Sequence, residues 1–138
     1  MTDISQQLLK QRIRENIIDY LELASSSLEQ REYERSLVEA KAPGIVPVEV
    51  VSQWEDSVRP SDFDWFDEPV FSEQEASAIR RFHKIWDEVV EVLPEPMPWS
   101  IEQVLDSEPW KKLIIGASEA LTIFMLRGRF SRDTEQPF

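Results

Sequence analysis

Behind Ser72 and Glu75, the apolar residues Ile79, Phe82, Trp86, Val89 and Leu93 recur at steps of three and four until Pro94. Such steps fall on one face of a helix that turns every 3.6 residues, whereas a half-buried strand alternates at every second residue. The ends carry their own signals. Ser followed three residues later by Glu is the reciprocal cap that satisfies two of the amides a helix start leaves unpaired. Proline lacks the amide needed to continue. The stretch predicts an amphipathic helix stopped by Pro94. The same period runs through Ile4, Leu8, Leu9, Ile13, Ile17, Ile18, Leu21 and Ala24, and again through Trp110, Leu113, Ile114, Ala117, Leu121, Phe124 and Met125. Three such stripes in 138 residues, the size of one domain, predict an all-α fold.

The remaining punctuation places the shorter elements. Thr2 or Asp3 is expected to cap the first helix. Ser25, Ser26 and Ser27 are expected to break it, because their hydroxyls compete for backbone groups. A polar second helix follows from Leu28 to about Ala40, anchored by Tyr33, Leu37 and Val38 and ended by Pro43-Gly44. From Pro47 to Val58, Pro47, Val51, Trp54 and Val58 keep helical spacing, with Pro47 suited to a first turn. The β-branched Val46, Val48, Val50 and Val51 argue for a strand instead, but no pairing strand is evident and the helix is preferred. Residues 59–71 read as a loop. Pro94, Pro96 and Pro98 make a stiff extended connector. Ser100 and Gln103 form a second capping box over a short helix to about Asp106. Pro109 opens the last helix, which carries apolar groups on several faces as a central helix does, and Gly128 stops it. The sum is a bundle of five to six helices with an acidic-aromatic loop. Residues 1–128 are read as a single all-helical domain and residues 129–138 as a flexible C-terminal tail.

Composition removes several kinds of chemistry. The chain has no cysteine, so disulfides, thiolate metal sites and thiol nucleophiles are excluded. His83 is the sole imidazole, and Gly44, Gly116 and Gly128 are too few for a phosphate-cradling loop. The first residues lack a basic region leading into an apolar run, and no apolar stretch approaches the ~20 residues that span a bilayer. A soluble, cytoplasmic protein is expected.

Charge is spread unevenly. The chain has 27 acidic against 15 basic residues, a net charge of −12, and residues 46–110 alone hold 16 acids and 4 bases. A field of that sign attracts cationic surfaces and repels phosphate backbones. It predicts a basic protein partner and disfavours direct nucleic-acid or membrane binding. Acids and rings nearly alternate at Asp62, Phe63, Asp64, Trp65, Phe66, Asp67 and Glu68. In one reading the rings tuck under the helices as a plug while the acids face water. In the other they stay exposed as anchors inside an acidic rim, as in a protein-binding hot spot. These seven residues are the candidate partner-binding surface.

Two other constellations invite chemistry. His83 and Asp87 lie one helical turn apart, a spacing that orients an imidazole for base catalysis; a boundary histidine in a helix ion pair is the simpler expectation. Glu15, Asp19 and Glu22 share one helix face, and Asp87, Glu88 and Glu91 another. Carboxylates on facing helices hold magnesium in bundles. Glu88-Val89-Val90-Glu91 resembles the first half of the E-x-x-E…E-x-x-D pattern of all-α nucleotide pyrophosphohydrolases, although Glu102 and Asp106, four apart, do not supply the second half. The alternative reading is therefore a magnesium-dependent helical-bundle hydrolase acting on nucleotides, with Glu15, Asp19, Glu88 and Glu91 at the metal. Arg127, Arg129 and Arg132 suit a helix C-terminus and are assigned no site. The leading expectation is a non-catalytic interaction module without cofactor. In composition it is similar to bacterial immunity and antitoxin-type inhibitors, which mask a cationic toxin. A third expectation is a homo-oligomer burying Trp54 and Trp99 between copies.

Overall fold

Six α-helices and one 3-10 turn carry the regular structure in the computed structural model, which describes residues 4–138 and, for residues 60–62, the backbone alone. They are α1 (Gln6–Ala24), α2 (Ser27–Glu39), α3 (Val46–Ser57), the 3-10 turn Pro60–Trp65, α4 (Glu73–Val92), α5 (Glu102–Leu105) and α6 (Glu108–Met125). No strand occurs among the described residues. No helix among them is long and apolar enough to cross a membrane. The expected Thr2 or Asp3 cap lies outside the described residues. Ser5 holds the N-cap position, its hydroxyl accepting from the Leu8 amide. The serine break is real: Ser25 closes α1 and Ser26 caps α2 by accepting from the Glu29 amide. Residues 46–57 are helical, with Pro47 in the first turn and Val46, Val50 and Trp54 turned inward.

Helix α6 lies at the centre, packed on α4 over the longest interface and also on α1 and α5, while α1 covers α2 and α3. The α4–α6 approach is close at Gly116, where an added Cβ would stand 2.9 Å from Ile85 Cδ1. That proximity accounts for a glycine inside an apolar helix, where it otherwise costs about 1 kcal/mol. Three buried indoles each find an acceptor. Trp54 Nε1 donates to His83 Nδ1 at 3.0 Å, Trp86 Nε1 to the Val51 carbonyl at 2.9 Å, and Trp110 Nε1 to Gln30 Oε1 at 2.9 Å. An unmade bond at such a site costs about 1–3 kcal/mol, so these acceptors fix how the rings sit.

Three expectations are corrected. The first concerns α1, whose N-terminal half buries polar groups rather than its apolar stripe: Gln11, Arg14 and Glu15 are sealed, while Ile4 and Leu9 are exposed. The second concerns the tail. Residues 129–138 run back along α1 in place of fraying. Phe130 N donates to Glu15 Oε1, Gln11 Nε2 donates to the carbonyls of Ser131 and Thr134, and Gln7 Nε2 to that of Gln136. Arg129 pairs with Glu15, Asp19 and Glu22, and Arg132 with Asp19. Gln11 and Glu15 are buried under this segment, while Arg14 is enclosed by Glu75 of α4, the end of α6 and Phe130. The third concerns Ser100, whose box is half made. The Ser100 amide donates to Gln103 Oε1, but the hydroxyl is within 3.0 Å of Glu34 Oε1 and so ties the connector to α2.

Candidate functional site

The aromatic loop resolves largely as the plug. Phe66 is buried against Phe71, ring centroids 5.1 Å apart and nearly perpendicular, and Phe71 in turn meets Phe124 of α6. A ring sealed there is core and not an anchor. Phe63 and Trp65 are half-buried. Phe63 stands edge-on to His83 at 5.3 Å beneath the Arg80 guanidinium, and the Lys10 ammonium lies 5.0 Å from the Trp65 ring. Asp64, Asp67 and Glu68 face water, as the plug requires, yet two of them already have cations. Asp64 pairs with Arg80 and Asp67 with Lys10. Glu68 is exposed, and the side chain of Asp62 lies outside the described residues. The loop is pinned from α1 and α4 by the chain's own basic residues, which leaves less charge to meet a partner.

The proposed metal carboxylates do not converge. Glu15 is sealed beneath Arg129 and Phe130, Asp19 is held by Arg129 and Arg132, and Glu88 and Glu91 face solvent on α4. No group of three or more metal-ligating side chains comes together among the described residues. His83 makes no ion pair with Asp87. Its Nδ1 accepts from Trp54 and its ring stacks 5.5 Å from Trp86, so this imidazole is a structural acceptor. Of the tryptophans offered for a dimer contact, Trp54 is core, with 1% of its surface exposed, whereas Trp99 is 79% exposed.

A different surface gathers several acids that have no ion pair among the described residues. The core stripe of α4 turns Phe82, Trp86 and Val89 inward, so Asp87, Glu88 and Glu91 project from the opposite side. Leu93 ends the helix in extended geometry, and the proline connector then places Glu95 in solvent beside α3, whose own exposed acid there is Glu55. None of these five carboxylates is in an ion pair among the described residues; Lys84, one turn before Asp87 and Glu88, makes none either. Apolar groups interrupt the acids, with Val92 and Trp99 exposed. Two apolar grooves flank the end of α4. One lies between α4 and α6, lined by Val89, Val92 and Ile115. The other lies between α3 and the connector, lined by Val48, Val51, Leu93 and Met97. Such a face can attract and seat a cationic, partly apolar surface. The sequence signal for it was present: acids opposite the apolar stripe of α4, followed by prolines that cannot fold over them. That run reads equally as an ordinary solvated helix back, and what sets it apart is four unpaired acids within residues 87–95 beside exposed Val92 and Trp99.

No family model, no curated protein and no solved structure matches the chain.

Proposed function

We propose that the chain is a non-catalytic protein-binding module of the cytoplasm whose acidic face, Asp87, Glu88, Glu91 and Glu95, engages a basic partner protein. One observation carries the reading. These carboxylates are exposed and without an ion pair, while Glu15, Asp19, Glu22, Asp64, Asp67, Glu75 and Glu102 are each met by the chain's own arginines or lysines. Other acids unpaired among the described residues, including Glu29, Glu39, Glu68, Glu73, Asp106 and Glu119, are spread over separate elements, whereas these four fall within residues 87–95. Exposed ion pairs contribute only about 0–1 kcal/mol each, so the acids serve mainly to steer and orient the partner. Apolar groups among them supply the burial that slows dissociation. An inhibitor that masks a cationic protein is the role this arrangement suits best, in keeping with the compositional similarity to immunity and antitoxin-type proteins. The reading places the contact on α4 and the connector rather than on residues 62–68, because Phe66 is core and Asp64 and Asp67 are already paired.

The test is affinity purification from the source organism with two baits, the unaltered chain and a D87K/E88K/E91K variant, followed by association kinetics with the recovered protein. A basic protein retained by the first bait is expected to associate at least tenfold more slowly with the second, with a flatter salt dependence. Three reversals on α2, E29K/E32K/E39K, serve as the control for total charge. Equal association rates for the two triple variants would refute the reading.

A further inference from the structure

We infer that the groove between α3 and the proline connector receives an amphipathic basic helix, about two turns of which seat their apolar side chains there; this rests on the protein-binding reading above and specifies its partner. Val48, Val51 and Glu55 repeat at helical spacing along one side of α3, and Leu93 and Met97 face them across a groove of about 380 Å³. The stripe spans roughly 10 Å of helix, two turns at 1.5 Å per residue. Its two exposed charges, Glu55 on α3 and Glu95 on the connector, are both acidic and both without an ion pair, and no lysine or arginine lines it. The α4–α6 groove, by contrast, is lined by Lys112 as well as Glu88 and Glu108. Charge complementarity thus selects the α3 groove for a cationic occupant.

The walls decide the occupant's backbone. Neither is a sheet edge, and Pro94, Pro96 and Pro98 remove every second amide that an added strand would need from the connector, so recognition falls to side chains in the helix-in-groove manner. Apolar residues at i, i+3 or i+4, and i+7 on the occupant match the α3 stripe, and lysine or arginine on either side meets Glu55 and Glu95. The wall is also preformed. Tyr20 Oη donates to the Val50 carbonyl at 2.7 Å and Trp86 Nε1 to that of Val51 at 2.9 Å, which ties α3 to α1 and α4 from behind. A groove held in place before binding loses less entropy on closing around a ligand.

The full chain, labelled with nitrogen-15, is titrated with two synthetic 14-residue peptides of identical lysine–leucine composition. One gathers its leucines on a single helical face and the other spreads them around the helix. The inference expects the largest shift changes at Val48, Val51, Glu55, Leu93 and Met97 with the first peptide, and at least tenfold weaker binding of the second. Affinity for the first should fall at least tenfold in E55K/E95K, a variant whose exposed sites leave the melting temperature in place. Shifts confined to residues 87–91 with equal affinity for both peptides would overturn the groove and leave the acidic-face reading standing, since that reading is judged separately by the partner kinetics. Changes centred on Lys112 and Ile115 would overturn it in favour of the α4–α6 groove. Shifts at the α3 stripe that grow with protein concentration alone would assign it to a second copy of the chain, which also overturns the inference.

Discussion

Arg14 of α1 and Glu75 of α4, 61 residues apart in the chain, form a two-pronged ion pair sealed from water, with Nη2 to Oε2 at 2.9 Å and Nε to Oε1 at 3.2 Å. Each partner also closes a helix end. Glu75 accepts from the Ser72 amide as the capping-box acid of α4, and Arg14 donates to the Phe124 and Gly128 carbonyls where α6 stops. A negative group at a helix start and a positive one at a helix end are each favoured by the unpaired backbone groups there. Arg127 adds a second cation to Glu75. The pair therefore joins three helices and the turn leading into the 129–138 segment.

Removing one member leaves the other buried with a single opposite charge, Glu75 with Arg127 or Arg14 with Glu15 at 3.6 Å. Glu75→Gln is expected to cost about 3 kcal/mol, the low end for breaking a buried pair, because Arg14 keeps its charge with only Glu15, 3.6 Å away and shared with Arg129, as a carboxylate partner. Arg14→Met/Glu75→Met should cost less than the sum of the two single changes, and urea unfolding of the four proteins measures the difference.

The same carboxyl gives the acid limb of stability its sign. Burial pushes the Glu75 pKa up, but hydrogen bonds from Arg127 and Arg14, with the Arg14 charge, outweigh this and hold it below the usual 4.5. A group more acidic in the folded chain than in the unfolded one contributes stability that is complete above the unfolded value. That contribution is lost as pH falls through the folded one. The urea midpoint is expected to decline below about pH 4.5, and to decline less steeply in Glu75→Gln.

The 129–138 segment is a structural strap. Arg129→Ala removes one guanidinium from buried Glu15 and from exposed Asp19 and Glu22. A cost of about 1.5–3 kcal/mol is expected, the range for hydrogen bonds to charged groups. Backbone amides of 130–136 should lose hydrogen-exchange protection before those of α6 do. Equal protection in the variant and the parent chain would show that the arginine does not hold the strap.

Trp54 and His83 act as a donor–acceptor unit. His83→Leu leaves the buried indole N–H without its acceptor and should cost about 1–3 kcal/mol. Adding Trp54→Phe, which deletes the donor as well, should recover part of that loss. A fully additive pair of thermal shifts would mean that the 3.0 Å contact carries no coupling.

Two tryptophans with similar surroundings in sequence should respond differently. Trp65 packs against Phe66 and Phe71, so Trp65→Ala is expected to lower the melting temperature. Trp99 is 79% exposed and Trp99→Ala should leave it within about 1 °C. Comparable shifts for the two would contradict the burial that makes the loop a plug.

The helices were legible because their signals are local. Ser72 and Glu75 cap α4, Ser26 caps α2, Pro47 and Pro109 sit in first turns, and Gly128 adopts the left-handed conformation that follows a helix end, φ +75°. The site was less legible. Phe63, Trp65 and Phe66 beside acids fit a plug and an exposed anchor equally well, and the choice depended on whether Lys10 and Arg80 arrive from other helices. Arg14 and Gln11 were invisible as core residues, since nothing near them in the chain announces that residues more than a hundred positions away will cover them.

By itself the sequence determined that this is a helical protein, where most of its helices start and stop, and that its negative charge is concentrated in the middle of the chain. Caps, breakers and a 3.6-residue period act within a turn or two, so each stretch reports its own state. Tertiary structure alone decided which acids are neutralised, which rings are sealed and which face remains open. Those outcomes are set by desolvation and by partners brought together across the chain, and a linear pattern records neither.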